Sequence, residues 1–140
     1  IGGSTNATLH LPSIARELGY EMPIELFDEI NHQVPHLGNI NPSGKHLTES
    51  FWFAGGIPYV QKLLKDHLHL DVMTVTGKTL AENVQDARVW NDDVIRTLDN
   101  PVMTEPGIGV LYGSLAPEGS IIKIAAVLEV PLETFFEEKE

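Results

Sequence analysis

A chain of 140 residues, 42% of them apolar and none of them cysteine, can bury one modest core. Within these residues disulfides and thiolate-held metals or clusters are excluded. With 9 Lys and Arg against 20 Asp and Glu, a net charge of −11, the chain is a poor candidate for nucleic acid, which demands a basic patch, and no apolar run is long enough to span a bilayer. No signal peptide is visible, so the expected location is the cytoplasm, or an organelle in a eukaryote.

The first ten residues, IGGSTNATLH, run two glycines into small polar residues and then into a helical pattern. Gly2 and Gly3 permit close backbone approach, and Ser4 is the candidate N-cap. Free N–H groups of a first helical turn, together with the helix dipole, favour a carboxylate or phosphate. Ser4, Thr5 and Asn6 are therefore candidate anion-binding residues. A capped helix after a tight turn accounts for the same residues. Ala7, Leu11, Ile14, Ala15 and Leu18 recur on one helical face, and Gly19 is a plausible stop. Pro12 should kink this helix or mark its true start. Pro23 opens a second helix with Leu26, Phe27, Ile30 and Val34 on one face, and Pro35 ends it.

GNINPSGKH, Gly38 to His46, reads as a loop. Its Lys45 is a fourth candidate anion-binding residue, beside Ser43 and a flexible Gly44; a plain turn with a solvated lysine is the alternative. Gly55 and Gly56 make a turn, and Pro58 starts a third helix with Ile57, Val60, Leu63, Leu64 and Leu68 inward. LDVMTV, Leu70 to Val75, has the composition of a short strand. Thr79 and Glu82 stand at capping-box spacing before a brief helix through Val84. Gly77-Lys78-Thr79 resembles the end of a P-loop, but that motif needs a glycine where Val72 stands, so a nucleoside triphosphate site is rejected.

A loop-like composition from Asp86 to Thr104 leads to two apolar runs, Ile108 to Leu115 and Ser120 to Val127, which flank APEG as a β-hairpin. The fold class is thus mixed α/β: helices first, a short strand, then a hairpin. The divisions expected are 1–91, a linker over 92–107, the hairpin over 108–127 and a solvated acidic tail over 128–140. His32 and His36 are separated by Pro35, and His67 and His69 lie at a helix end; neither pair has a third ligand at motif spacing, so no metal site is assigned. Asp92 and Asp93 are adjacent and read as surface loop, and there is no nucleophile elbow. No catalytic residue is assigned.

Taken in order, GGSTN, PSGK, AGGIP, TVTGKTLAEN, LDNP and LYGSLAPEG resemble the dihydroxy-acid dehydratases and their sugar-acid dehydratase relatives, over about residues 1–127. PSGK and MTVTGKTLAEN are more similar to the branched-chain dihydroxy-acid branch. The resemblance implies a hydro-lyase that turns a 2,3-dihydroxy acid into a 2-keto acid in valine and isoleucine synthesis. It also implies an iron–sulfur cluster as Lewis acid, a Mg²⁺ ion that orients the substrate and a serine base. The family's cluster cysteines and most of its Mg²⁺ ligands lie upstream of GGSTN, and its serine base lies in a downstream β-barrel domain. The chain therefore resembles an internal fragment: the late part of the N-terminal α/β domain, a linker and the first hairpin of the barrel. Alone it is expected to hold no cofactor and to be inactive. Its expected partners are the remaining parts of the parent chain or a second copy in a homo-oligomer, and a small carboxylate substrate, with no nucleic acid and no membrane. The alternatives are a non-catalytic anion-binding or structural subunit, and a sugar-acid dehydratase as the parent enzyme.

Overall fold

A computed structural model describes residues 1–104 and 107–123. The expected end of the second strand over 124–127 and the acidic tail lie outside the described residues. The chain divides into two units: Ile1–Leu37 together with the chain from Pro101 onward, and Gly38–Asn100. Helices precede a two-stranded antiparallel sheet, so the class is mixed α/β.

In the first unit α1 spans Ala7–Glu17 and α2 spans Ile24–Gln33. Pro12 lies inside α1 and does not end it. Gly19 stops α1 in the manner its position suggests: at φ +79° it lets its own N–H reach Arg16 O (3.0 Å) and the Tyr20 N–H reach Ala15 O (2.9 Å). The apolar stripe of α1 is real but faces outward, with Leu11, Ile14 and Leu18 all exposed. Val34 closes α2 in extended backbone, as the residue before a proline must. The chain then dives inward: His36 and Leu37 are fully buried, and His36 exchanges backbone hydrogen bonds with Val102 and Met103.

Strand β1 (Gly109–Gly113) pairs with β2 (Ala116–Ile122), and the hairpin packs on α2. Tyr112 Oη donates to Glu25 Oε1 (3.1 Å), and Asn31 Nδ2 donates to Ile108 O (2.9 Å). The turn is Ser114–Leu115, not APEG, which lies within β2. Pairing jumps from Leu111–Ser120 to Gly113–Ala116, so Pro117–Gly119 form an irregularity in the strand rather than its reversal. Gly119 has φ +94°, and a Cβ there would meet the Tyr112 ring at 3.0 Å. Turn chemistry is present, but it bends a strand around an aromatic ring.

In the second unit, α3 (Thr48–Ala54) was not anticipated from the sequence. It meets α4 (Gly56–Leu63) at Gly55, whose φ of +134° and 2.5 Å clearance between a built Cβ and Arg88 O suit glycine alone. Gly56 and Val60, with the C-cap Leu64 just past its end, define the buried side of α4, at a spacing of four. Ile57, expected inward, sits one step off that line and is 53% exposed. Ala54, Val60, Leu64, Val84, Val94 and Ile95 are the buried apolar residues of this unit.

The expected strand at Leu70–Val75 does not form. Val72, Met73 and Val75 are exposed, and the chain reverses on itself at once: Thr74 N–H meets Lys78 O (2.9 Å) and Gly77 N–H meets Thr74 O (3.1 Å). Its backbone pairing is limited to the local reversal, with one antiparallel bridge from Met73 to Thr79, so no strand is extended. The capping box does form. Thr79 Oγ1 accepts from Glu82 N–H (3.2 Å), Glu82 Oε2 accepts from Thr79 N–H (2.7 Å), and α5 runs Leu80–Val84. The bond from the Thr79 backbone, then that from its hydroxyl, holds the Glu82 carboxyl below its ordinary 4.5. That support is present above the ordinary value and is lost as pH falls through the lowered one. Thr79→Ala should cost about 1 kcal/mol in a urea melt and move the Glu82 carboxyl titration upward; an unmoved titration would refute the box.

Candidate functional site

Residues Gly2 to Asn6 form a loop whose shape is set by a buried imidazole. Gly2 has φ +88°, and a Cβ on it would lie 2.2 Å from His36 Nε2. Gly107 approaches the other ring nitrogen, with a built Cβ 3.5 Å from Nδ1. Gly2 is thus required for packing against His36. Gly3, by contrast, faces open space.

Ser4 does not cap α1. The N-cap is Asn6, which makes no side-chain cap bond, and Ser4 Oγ accepts from the Asn6 N–H at 3.2 Å. The first-turn donors are already used: Ala7 N–H bonds Ser4 O (3.0 Å), Thr8 N–H bonds Thr5 O (3.1 Å), and His10 N–H bonds Asn6 O (3.0 Å). A tight turn ahead of the helix therefore replaces the anion cradle expected at its first N–H groups. Within this loop the N–H groups of Gly2, Gly3, Ser4 and Thr5 find no acceptor among the described residues. Ser4, Thr5 and Asn6 lie together in this single turn, with Ser4 and Asn6 exposed and Thr5 half-buried.

Lys45 belongs to the second unit, on the loop Gly38–His46. Its ammonium is exposed and makes no hydrogen bond or ion pair among the described residues. Lys62 is the contrast, its ammonium held by Gln85 O (2.6 Å) and Ala87 O (3.0 Å). The backbone around Lys45 is fixed. Asn39, 7% exposed, accepts the Lys45 N–H on Oδ1 (3.0 Å) and donates from Nδ2 to Asp93 O (2.9 Å). His46 N–H bonds Asn39 O (3.1 Å), and Asn41 N–H bonds His46 O (2.8 Å). The Asp93 carboxylate binds His46 Nε2 through one oxygen (2.9 Å) and the Arg96 guanidinium through the other. The hydrogen bond to His46 and the charges of Arg96, His46 and Lys45 hold the Asp93 carboxyl below its ordinary 3.8. Asn39, His46 and Arg96 carry no motif, so periodicity and spacing did not single them out, and Asp93 was read with Asp92 as surface loop.

A second feature was also not anticipated. Trp52, Phe53, Pro58, Arg88 and Trp90 line a cleft of about 580 Å³ in the second unit, with both tryptophans more than 70% exposed. Neither it nor the loops supply a metal site: among the described residues no three His, Asp or Glu side chains converge on one point. The His32–Asp28 pair is a helix-surface contact at 3.8 Å, and His36 is a core residue. The iron–sulfur cluster and Mg²⁺ implied by the motif resemblance therefore do not fit the residues described. No helix among them is long and apolar enough to cross a membrane.

Comparison with known proteins places these loops in context. Residues 1–83 match the family model described as dihydroxy-acid/6-phosphogluconate dehydratase N-terminal, and residues 93–136 match the corresponding C-terminal one. The second match runs past Val127, where the motif resemblance stops. The chain is 51% identical over 129 residues to the dihydroxy-acid dehydratase of Ignicoccus hospitalis, covering 91% of this chain and 23% of that protein. It is 47% identical over 130 residues to that of Methanothermobacter thermautotrophicus, covering 92% and 24%. To that of Caldanaerobacter subterraneus it is 45% identical over 148 residues, covering 100% and 27%. The chain thus spans about a quarter of the length of these curated relatives.

Proposed function

Because this chain belongs to the dihydroxy-acid/6-phosphogluconate dehydratase family, we propose that it is part of a hydro-lyase converting 2,3-dihydroxy carboxylic acids to 2-keto acids in branched-chain amino-acid synthesis. The observation that carries this reading is about 50% identity, over nine-tenths of the chain, to relatives named dihydroxy-acid dehydratase. The relatives' greater length supports the rest of the reading: these 140 residues are one section of the working enzyme and are inactive alone. The ligands for the iron–sulfur cluster and Mg²⁺ then come from the remaining polypeptide. The partners of this section are that polypeptide, a second copy in a homo-oligomer, and a small carboxylate, in the cytoplasm.

Within this section each of the two units carries its own candidate binding loop. The N–H groups of Gly3, Ser4 and Thr5, with the side chains of Ser4, Thr5 and Asn6, offer donors to a carboxylate. The Lys45 ammonium offers a point charge on a fixed turn. Carboxylate binding orients the substrate and leaves the bond-breaking chemistry to groups elsewhere.

The test uses two preparations. The purified 140-residue chain should contain no stoichiometric iron or sulfide and form no 2-keto acid. The native gene product, sized by intact mass, should be several times 15.4 kDa and should dehydrate a branched 2,3-dihydroxy acid faster than a sugar acid. Iron and sulfide in the short chain, or a preference for the sugar acid, would overturn the reading. In the short chain, a 2-keto acid should shift the amides of Gly3 to Thr5; shifts elsewhere and none there would remove the loop from the site.

A further inference from the structure

We propose that Asn39 and Asp93 are positioning residues for Lys45, locking the turn Asn41–Lys45 so that the lysine side chain is offered to an anionic ligand from a fixed backbone position. The inference rests on the reading of Lys45 as an anion-binding residue.

The lock has two levels. Asn39 is buried and spends both ends of its amide, taking the Lys45 N–H on Oδ1 and giving Nδ2 to the Asp93 carbonyl. Its main chain works in parallel, with its N–H on Val94 O (2.9 Å) and its carbonyl on the His46 N–H (3.1 Å). One residue thus ties the turn on one side to the Asp93–Val94 segment on the other. The second level is ionic. Asp93 grips the next residue along, His46, and is itself gripped by Arg96. Lys45 and His46 are consecutive, so holding the His46 ring and both backbone N–H groups fixes where the Lys45 side chain departs. Steric fit closes the lock: a Cβ on Gly44 would lie 2.4 Å from Asn39 C and 2.5 Å from Ile40 N.

An exposed flexible lysine gives up rotamer freedom on binding, and a rigid turn removes the backbone share of that cost. The groups facing the Asp93 carboxylate are His46, Arg96 and Lys45, all cationic or able to become so. The lock should therefore hold at neutral pH and open as pH falls through the lowered Asp93 value, below 3.8.

The experiment is amide exchange on the 140-residue chain, corrected for intrinsic rates, with sulfate as the anion probe. In Asp93→Asn the Lys45 and His46 amides should exchange at least tenfold faster while those of Val60 and Leu64 keep their protection. In the wild type the Lys45 amide should show an acid step in protection that Asp93→Asn lacks and Asp93→Glu restores in part. Unchanged Lys45 protection in Asp93→Asn overturns the proposal, as does a loss shared equally by Val60 and Leu64. Protection that changes as expected, with a wild-type Lys45 unmoved by sulfate, leaves the lock standing and removes Lys45 from the anion site instead.

Discussion

Gly44→Ala should destabilise the second unit by about 3 kcal/mol or more, among the largest losses of any single methyl added to this chain. The added carbon would lie 2.4 Å from the Asn39 carbonyl carbon and 2.5 Å from the Ile40 nitrogen. Both are backbone atoms, so no rotamer change can make room. Relief requires the turn to move, and that breaks the bonds from the Lys45 and His46 amides to Asn39. Two other glycines calibrate the effect. Gly77→Ala meets open space but must keep φ at +75°, which costs about 1–2 kcal/mol. Gly3→Ala meets neither obstacle and should be close to neutral. Urea melts followed by Trp52 and Trp90 fluorescence, both in the affected unit, would rank the three, with Gly3→Ala as the control. A Gly44→Ala chain as stable as Gly3→Ala would show that the turn is not packed as described.

What could be read from the sequence, and what could not, follows the range of the interactions involved. The capping box at Thr79 and Glu82 and the stop at Gly19 are closed within a few residues, and both formed where spacing put them. The order of helices before a hairpin was legible for the same reason. Errors came wherever a distant partner decided the outcome. LDVMTV has strand composition, but it finds only a single local bridge, Met73 to Thr79, and no second strand to extend it. Pro117-Glu118-Gly119 has turn composition, but the Tyr112 ring across the hairpin makes it a strand irregularity. Ser4 has the identity of an N-cap, yet the helix begins one turn away from it.

The candidate site divides along the same line. GGSTN and PSGK were visible as loops because glycine, serine and lysine announce themselves locally. The reason for Gly2 was not visible, since it lies in the imidazole of His36, 34 positions along the chain. Nor was the reason for a rigid Lys45. Asn39 and Asp93 are 54 positions apart, and only folding brings the amide of one to the carbonyl of the other. The reaction proposed above rests on the family resemblance, since these loops alone do not define a chemistry.

Ile95→Ala is the second large expected effect, and it bears on the stretch 92–107. A composition shift read that stretch as a linker, and a linker tolerates truncation of its side chains within about 0.5 kcal/mol. Yet Val94 and Ile95 are 1% and 0% exposed. Gly38 and Ile95 form a backbone bridge, and Val94 O holds the Asn39 N–H, so this segment underpins the loop that carries Lys45. Removing three carbons from a fully buried isoleucine should cost about 2–5 kcal/mol, the spread reflecting how far the cavity collapses. Ile57, 53% exposed on α4, provides the matched control and should lose about 0.5 kcal/mol or less. Equal losses at the two positions would support the reading of the segment as a linker. A large loss at Ile95 alone would place Val94 and Ile95 in the core of this unit. The Lys45 turn would then owe its rigidity to apolar packing beneath Asp93 as much as to the charges around it.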